Sequence, residues 1–459
     1  MRFESRRRKG RGLFLFFVIL IFFVSGGYYL LNSPFFEKNP PVIKVKRNII
    51  TNLKKPIKVQ ITDNLGLKRI RILLTDGKSI LGQKSYEFKN PVKSKSLDVY
   101  FPTFRVVRSS QKLTLAIEAK DVSRWNWFKG NTKFVKTSIF VDKKPPELYP
   151  IISSYAIRKG GSALVIFKAD DENIKEVYIK TNFGKKFKPI PFYKKGYYIS
   201  LVAWPVWERK FSSMLVVTDK AGNKSKYLLD FYLKNKTYRI SKIKLKESFL
   251  KGKITDLVRM VDEKKLSLPL DKRFKYINES LRKENEDKIS SVTDKVLEDK
   301  IEEFNIDTFH PLKNAAAVAS FGDHRFYYFN GKEISSSYHL GLDLASVAQA
   351  DIVSSNEGKV VFAEFNGIYG NNLIIYHGLG LYSLYGHCSS IFVKEGDYVK
   401  KGEVVAKTGK SGLALGDHLH FGILVQGLEV RPDEWIDKKW IKVNIKDIIE
   451  KAKNIIDKR

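Results

Sequence analysis

Two short motifs contain the side chains best suited to chemistry: His339-x-x-x-Asp343 and, further along the chain, His418-x-His420. A histidine and a carboxylate four positions apart, followed by a His-x-His pair, supply three metal ligands and leave one histidine free. All 7 histidines of the chain lie between His310 and His420. The chemistry of this protein is therefore expected in that region.

The region around both motifs reads as short strands joined by glycine turns. Side chains two or four positions apart on a strand point to the same face. His418 and His420 then share a face, as do His339 and Asp343 if that stretch is extended. Two histidines and one carboxylate leave a fourth tetrahedral position open, which is typical of catalytic rather than structural zinc.

Bound Zn²⁺ lowers the pKa of its water to about 7 and polarises a carbonyl, which suits amide hydrolysis. A group that handles protons is also needed, and His387 and the spare member of the His418/His420 pair are available. Spacing leaves open which member of that pair binds the metal. Cys388 follows His387, so a cysteine nucleophile is an alternative, but no cysteine-protease signature surrounds it and a buried thiol is favoured.

Three segments, Tyr338–Ala345, Tyr382–His387 and Gly416–Phe421, resemble the lysostaphin-type (LytM-like) zinc metallopeptidases that act on peptidoglycan. The resemblance covers about residues 306–436. It implies an active zinc metalloendopeptidase with an antiparallel β domain.

The resemblance also assigns roles to residues of this chain. It implies that His339, Asp343 and His420 are the zinc ligands. It implies that His387 and His418 are catalytic, because they would bind or activate the water and stabilise the tetrahedral intermediate.

One departure from the family pattern precedes the first ligand. The segment Phe321–Arg325 is one residue longer than the usual Phe-Gly-x-Arg, and it brings in His324. His324, His310 and His377 are predicted to be non-catalytic. Some members of the family have lost ligands and act as activators or scaffolds of other wall hydrolases, binding through the same groove. This chain keeps all five positions, so an active enzyme is favoured over that alternative.

The N-terminal end predicts a membrane anchor. Residues Gly12–Leu31 contain no charge, and 20 residues at ~1.5 Å rise each span about the thickness of a hydrocarbon core. The preceding residues are strongly basic, which predicts an N-terminus inside the cell and a catalytic domain exported to the periplasmic or cell-wall side. A cleaved signal peptide is the alternative, but the apolar run is long and no A-x-A site follows it.

The charge balance of the chain indicates what kind of partner it binds. Lys and Arg outnumber Asp and Glu by 83 to 49, a formal net charge of +34. Such an excess favours an anionic partner. Export and the lack of nucleic-acid motifs exclude nucleic acid, so peptidoglycan and the cytoplasmic membrane are the predicted partners, with room for protein regulators.

The remaining chain predicts a mainly β protein with a helical linker. Alternating strands with regular turn signals predict two immunoglobulin-like β-sandwiches, and Val59–Asp63 and Ile166–Asp170 repeat one pattern within them. Apolar residues then recur every three or four positions, which predicts amphipathic helices. The predicted domains are a cytoplasmic tail with signal-anchor helix (1–35), immunoglobulin-like domains (36–144 and 145–239), a helical linker (240–305), the zinc peptidase domain (306–440) and a C-terminal amphipathic helix (441–459).

Overall fold

The computed structural model describes residues 9–100 and 111–458. The basic residues Arg2, Arg6, Arg7 and Arg8, on which the predicted orientation partly rests, lie outside the described residues, as do residues 101–110 of the first predicted sandwich. The described chain is mainly β, as predicted, and it forms two compact units: Met1–Pro145 with Asp219–Asn223, and Pro146–Thr218 with Lys224–Arg459.

The N-terminal helix α1 comprises Lys9–Leu31. Among the described residues it is the one helix long and apolar enough to cross a membrane, and its apolar stretch Gly12–Leu31 has a mean hydropathy of 2.4. Its apolar side chains from Leu13 onwards are exposed. Length and composition are compatible with a single-pass anchor or a signal sequence.

The first unit also contains a mixed sheet in the order β1-β3-β5-β6-β2, with β4 paired to β3. The pair β2–β6 is parallel. Its strands are β1 (Val42–Val45), β2 (Ile49–Thr51), β3 (Ile57–Thr75), β4 (Ile80–Val99), β5 (Gln111–Asp121) and β6 (Thr132–Val141), with a short helical turn α2 (Trp125–Phe128).

Strand β3 links β1 to β5 within the sheet, because its two halves pair with different strands. Its first half pairs with β1 and its second half with β5, and the register shifts between Thr62 and Leu67. Alternate residues of β3, such as Val59 and Ile61, face the core of this unit. The immunoglobulin-like arrangement of two packed sheets remains a prediction here.

The second unit begins with two four-stranded sheets, β11-β10-β14-β15 and β12-β13-β9-β7, and a parallel pair, β16-β8. The strands are β7 (Glu147–Ser153), β8 (Ala156–Arg158), β9 (Ser162–Asp170), β10 (Ile174–Thr181), β11 (Lys186–Phe187), β12 (Ile190–Pro191), β13 (Tyr197–Ala203), β14 (Ser213–Asp219), β15 (Lys224–Leu229) and β16 (Tyr232–Lys234).

A largely helical segment follows strand β17 (Ile240–Lys244). It contains α3 (Glu247–Phe249), α4 (Thr255–Val261), α5 (Leu270–Lys275) and α6 (Arg282–Thr293), joined by π-helical turns at Leu250–Ile254 and Tyr276–Leu281 and a 3₁₀ turn at Glu263–Ser267.

The C-terminal region contains an eight-stranded sheet, β18-β21-β29-β25-β24-β23-β27 with β30 on β29, and a small sheet, β22-β28-β26, while β17, β19 and β20 form a third. Its strands are β18 (Ala316–Ala319), β19 (His324–Phe329), β20 (Lys332–Tyr338), β21 (Leu342–Ala345), β22 (Asp351–Val353), β23 (Gly358–Phe365), β24 (Asn371–Tyr376), β25 (Leu381–Cys388), β26 (Ser390–Ile391), β27 (Tyr398–Val399), β28 (Val404–Lys407), β29 (Leu419–Val425) and β30 (Leu428–Val430).

Helices α7 (Pro432–Ile436), α8 (Lys438–Ile441) and α9 (Asp447–Asp457) end the chain, with a π-helical turn at Lys442–Lys446 between the last two. The apolar face of α9 is buried in the core of this unit, as its three-and-four periodicity predicts.

Two large hydrophobic cores and a small cluster of Val206, Phe321 and Leu340 stabilise the second unit. One joins the sheets of residues 146–231 to the C-terminal sheet and α9. The other packs the helical segment, including Leu250, Ile254 and Phe274, against the C-terminal sheet, where it meets Tyr369 and Leu384. Because the segment around 240–305 shares a core with the C-terminal sheet, it packs on that sheet. The predicted boundaries at 240, 306 and 441 remain predictions.

Candidate metal and catalytic site

Three neighbouring strands of the eight-stranded sheet position the predicted site. Asp343 on β21 is the direct cross-strand partner of His420 on β29, and Gly386 on β25 is the partner of His420 on its other side. Directly opposed side chains of neighbouring strands have Cβ atoms about 4.5–5.5 Å apart. The strand register therefore brings the carboxylate and the imidazole together, although they lie far apart in sequence.

His339 reaches the same point from a bend rather than from a strand. Strand β20 ends at Tyr338, β21 begins at Leu342, and Gly341 lies in the bend between them. The condition that the sequence left open, one extended stretch from His339 to Asp343, is therefore not met. A Cβ on Gly341 would lie 2.5 Å from Cε1 and Nε2 of His420, so only glycine leaves room for the imidazole ring.

Three atoms that can bind a metal converge here. The Oδ1 atom of Asp343 lies 2.9 Å from Nε2 of His339 and 2.9 Å from Nδ1 of His420, and the two ring nitrogens are 3.2 Å apart. The three side chains are nearly buried. They form a group of potential ligands, and no other histidine belongs to such a group among the described residues.

Hydrogen bonding determines which nitrogen of His339 is free. Its Nδ1 donates to the backbone carbonyl of Ser320 at 2.9 Å, because a carbonyl oxygen can only accept. In the neutral ring, Nε2 is then unprotonated and presents a lone pair to the cluster. This arrangement, with the outer nitrogen tied to a carbonyl, is typical of metal-ligating histidines.

The electrostatics of the cluster also favour a cation. Burial opposes ionisation of Asp343, but the close contacts of its carboxylate with the rings of His339 and His420 outweigh it and hold the pKa of Asp343 far below its usual range. Burial lowers the pKa of His420, although Asp343 opposes the effect. A carboxylate beside two neutral imidazoles is the protonation state that binds a metal ion.

His387 and His418 lie beside this cluster. The rings of His387 and His418 are 4.9 Å apart between centroids, and that of His387 lies 5.8 Å from the His420 ring. Nδ1 of His387 donates to the carbonyl of Ser411, and Nδ1 of His418 donates to the carbonyl of Gly416, each at 2.9 Å. Their Nε2 atoms are therefore the unprotonated ones in the neutral rings, and that of His418 lies 3.8 Å from Oδ2 of Asp343.

Backbone and burial set His387 apart. Burial, with smaller contributions from His420 and His418, lowers the pKa of His387 to about 3, so the ring is neutral at neutral pH. Its φ is 64°, a left-handed conformation that costs a non-glycine residue on the order of 1–3 kcal/mol. Such strain is concentrated at functional sites.

The other histidines lie outside the cluster. His324 stacks on Tyr338 with ring centroids 4.2 Å apart, and His377 bonds to the Glu357 carbonyl and the Ser383 hydroxyl. His310 lies elsewhere, in the segment before β18. Cys388 is fully buried, and burial raises its pKa to about 12, which confirms the buried thiol and argues against a nucleophile.

The cluster lies in a groove of about 970 Å³. The helical segment contributes part of its wall, including Phe249 and Phe274, and Val318 and Leu415 also line it. Basic side chains outnumber acidic ones along the lining: Lys244, Lys246, Lys253, Arg282 and Arg325 against Asp343 and Asp417.

Sequence reasoning did not place the helical segment in the wall of this groove. The amphipathic pattern of residues 250–281 predicted that one helical face would be buried, but it did not show which surface would bury it. It also missed Tyr369, whose fully buried ring packs edge-on against His420 at 5.5 Å. No local signal in the sequence marks either feature.

Residues 337–432 match the sequence model of a protein family, Peptidase family M23. The matched segment contains all five predicted site residues. Among curated relatives, the peptidoglycan DD-endopeptidase ShyB of Vibrio cholerae is 37% identical over 92 residues, which are 20% of this chain and 22% of that protein. The DD-carboxypeptidase/endopeptidase Mpg of Neisseria meningitidis is 35% identical over 94 residues, again 20% and 22%.

The chain thus spans about a fifth of the length of these two relatives. Stage II sporulation protein Q of Bacillus subtilis is 34% identical over 110 residues, 23% of this chain and 39% of that protein. Among solved structures, the catalytic domain of the antimicrobial peptidase lysostaphin from Staphylococcus simulans is 25% identical, with a TM-score of 0.23, and covers 27% of this chain and 92% of that chain.

Proposed function

Since residues 337–432 form a peptidase family M23 domain, we propose that this protein is a membrane-anchored, exported zinc endopeptidase that hydrolyses peptide amide bonds of peptidoglycan. The observation that carries the proposal is the convergence of one atom each from His339, Asp343 and His420 within 3.2 Å of one another, beside His387 and His418. The names of the relatives ShyB and Mpg support the substrate and the reaction.

The donor set fits a zinc ion. His339 would contribute Nε2, His420 would contribute Nδ1, and Asp343 would contribute a carboxylate oxygen. Without a cation these three atoms are mutually repelling acceptors, which is the physical reason to assign one to them. Bound zinc supplies Lewis acidity, which acidifies water and polarises a carbonyl.

His387 and His418 are the groups proposed to handle protons. Because their Nδ1 atoms are held by backbone carbonyls, each neutral ring presents the lone pair of Nε2 towards the cluster. His418 can accept a proton at Nε2 from water and, once protonated, donate a hydrogen bond to the oxygen of the reacting amide. His387, whose low pKa makes it a weak base, would hold that water by accepting a hydrogen bond at Nε2. General acid–base groups of this kind contribute typically about 10²–10⁴-fold to a rate.

The groove suits an extended, acidic peptide. Its apolar walls, with Phe249 and Leu415, offer contact area, and its basic side chains would attract the carboxylates of peptidoglycan stem peptides. The same attraction would apply over the whole molecule, because the net charge is +34.

The remainder of the chain is proposed to carry the catalytic domain from membrane to wall. Helix α1 would be an uncleaved anchor with its basic end inside the cell, and the segments 36–144 and 145–239 would be immunoglobulin-like spacers. The length and apolar composition of Gly12–Leu31 support the anchor.

The test is digestion of purified peptidoglycan by the full-length chain in detergent, with muropeptides analysed by mass spectrometry. His418→Ala serves as the inactive variant, and His324→Ala serves as its matched control, because that histidine stacks on Tyr338 outside the cluster. We expect new stem-peptide or cross-link fragments from the parent and from His324→Ala, and none from His418→Ala.

Identical profiles from all three proteins, with zinc bound in each, would contradict the enzymatic proposal. That result would favour a non-catalytic activator or scaffold that binds wall components or protein partners through the same groove. The similarity to stage II sporulation protein Q, which has been solved in complex with SpoIIIAH, makes this the second candidate.

A further inference from the structure

A second cluster of carboxylates lies in the first unit, far from the histidines in sequence. Asp63 stands where β3 interrupts its pairing, between Thr62 and Leu67, and Asp121 is the last residue of β5. Glu37 follows helix α1 by six positions and comes directly after a 3₁₀ turn. Three separate parts of the chain thus contribute one carboxylate each to one place.

The spacing of these carboxylates fits a shared cation. One oxygen from each of Glu37, Asp63 and Asp121 lies within 4.8 Å of the other two. Calcium binds oxygen at about 2.3–2.6 Å, so two ligands on opposite sides of one ion are about 5 Å apart. The three oxygens are therefore close enough to contact a single ion.

Two buried oxygens of the cluster have no hydrogen-bond donor. Asp63 is only 8% exposed, and its Oδ1 accepts the backbone N–H groups of Leu65 and Gly66, whereas its Oδ2 has no partner. The Oε1 atom of Glu37 is likewise buried and unpartnered, while its Oε2 accepts the side-chain amide of Asn64. An unsatisfied buried carboxylate oxygen is costly unless a cation or a donor meets it.

The hydrogen-bond partners of this cluster include several amide groups. Asp121 is fully buried and accepts hydrogen bonds from Ser123 and Asn131. Across residues 9–100 and 111–458, none of the three carboxylates is in an ion pair with Lys, Arg or His. Burial raises the pKa of Asp63, and the charges of Asp121 and Glu37 add to this rise, although backbone hydrogen bonds oppose it.

We propose that Glu37, Asp63 and Asp121 bind a calcium ion, which no part of the peptidase chemistry requires. The three potential metal ligands are all carboxylate oxygens. This ligand type suits a hard cation better than zinc or copper. Three carboxylates converge without a counter-charge, and a divalent cation removes most of that repulsion. Calcium is chosen over magnesium because calcium accepts several protein carboxylates in a flexible geometry, whereas magnesium demands nearly octahedral geometry and usually keeps several waters.

The ion would fix the segment that follows helix α1 onto the sheet of the first unit. Glu37 belongs to that segment, and Asp63 and Asp121 belong to β3 and β5. The backbone carbonyl of Glu37 already accepts hydrogen bonds from Ser123 and Asn131, so its main chain is in place. Calcium would thereby stiffen the connection between the membrane helix and the exported part.

The experiment is calcium titration of the full-length chain in detergent by calorimetry, after removal of bound calcium and with the zinc site saturated. Calcium modules outside cells bind with dissociation constants of about 10⁻⁴–10⁻³ M, so the titration extends to millimolar calcium. Glu37→Gln and Asp63→Asn remove one ligand charge each and keep the shape of the side chain. Glu87→Gln and Asp98→Asn make the same changes on exposed positions of β4 and are the matched controls.

We expect calcium binding by the parent and by both controls, and at least a tenfold weaker affinity or the loss of one binding equivalent in Glu37→Gln and Asp63→Asn. Calcium should also raise the melting temperature of the parent and not of these two variants. Parent-like binding by both variants, no binding by the parent, or preferential binding of magnesium would overturn the assignment.

Discussion

Asp343 and His420 lie directly opposite each other on neighbouring antiparallel strands, with Oδ1 of the first 2.9 Å from Nδ1 of the second. Strand pairing fixes their backbones, and the bend at Gly341 then adds His339 to the same point. The proposed metal centre thus depends on the register of the sheet. Substitutions that change the Asp343 carboxylate or disturb this register should affect metal binding first.

Removing the charge of Asp343 should abolish stable zinc binding. Asp343→Asn keeps the shape of the side chain but loses the anionic ligand that contacts both histidines. We expect zinc affinity to fall by at least ~100-fold, since even residues that merely orient ligands cost about 10–100-fold. Competition with a chelating dye measures it. Asp351→Asn, an exposed change on β22, should retain the parent affinity, and equal affinities in both variants would contradict the ligand role of Asp343.

A methyl group on Gly341 should displace His420. The added Cβ would lie 2.5 Å from two ring atoms of His420 and 2.9 Å from the Phe421 carbonyl, so the ring must move. We expect Gly341→Ala to lower zinc affinity by about 10–100-fold, the range for residues that position metal ligands. Gly252→Ala is the matched control, because a Cβ there meets nothing within 4 Å. Parent-like zinc binding by Gly341→Ala would show that the bend can relax.

Reversing one charge in the groove should weaken substrate binding without affecting the chemical step. Lys246 is exposed and lines the groove, so its positive charge is available to an acidic peptide. We expect Lys246→Glu to raise KM several-fold, with kcat nearly unchanged and the effect reduced by salt. Steady-state hydrolysis of soluble muropeptides measures both constants. Lys272→Glu, an exposed change on α5 outside the groove, should behave as the parent does, and a lower kcat in Lys246→Glu would argue for a role beyond charge.

Glu429 should make the stability of the second unit depend on pH. It is 8% exposed, and burial, aided by the charge of Glu286, raises its pKa to about 8. The folded chain therefore keeps a proton that the unfolded chain loses above about pH 4.3. Its contribution to stability is complete at low pH and is lost as pH rises through 8.

Relative to Glu429→Gln, which cannot ionise, we expect the parent to lose on the order of 3 kcal/mol of unfolding free energy between pH 5 and pH 9. Urea denaturation followed by the fluorescence of buried tryptophans, such as Trp435, measures this difference. Glu450→Gln, an exposed change on α9, should keep the pH dependence of the parent. The same pH dependence in the parent and in Glu429→Gln would contradict the raised pKa.

The sequence by itself determined the residue types of the site, because few side chains bind zinc and the motif His339-x-x-x-Asp343 with His418-x-His420 is local. It also determined the apolar helix and the mainly β class, which follow from runs and periods read along the chain. The resemblance follows from the same local motifs, and residues 337–432 match Peptidase family M23.

The tertiary structure alone decided what depends on distant contacts. The strand register places Asp343 opposite His420. The backbone carbonyls of Ser320 and Ser411 bind one ring nitrogen each of His339 and His387 and so determine which nitrogen is free. The bend at Gly341 interrupts the stretch between His339 and Asp343. Packing laid the helical segment along the groove. An amphipathic pattern shows that one face must be buried, but only the folded chain shows which surface buries it, because apolar burial is not directional.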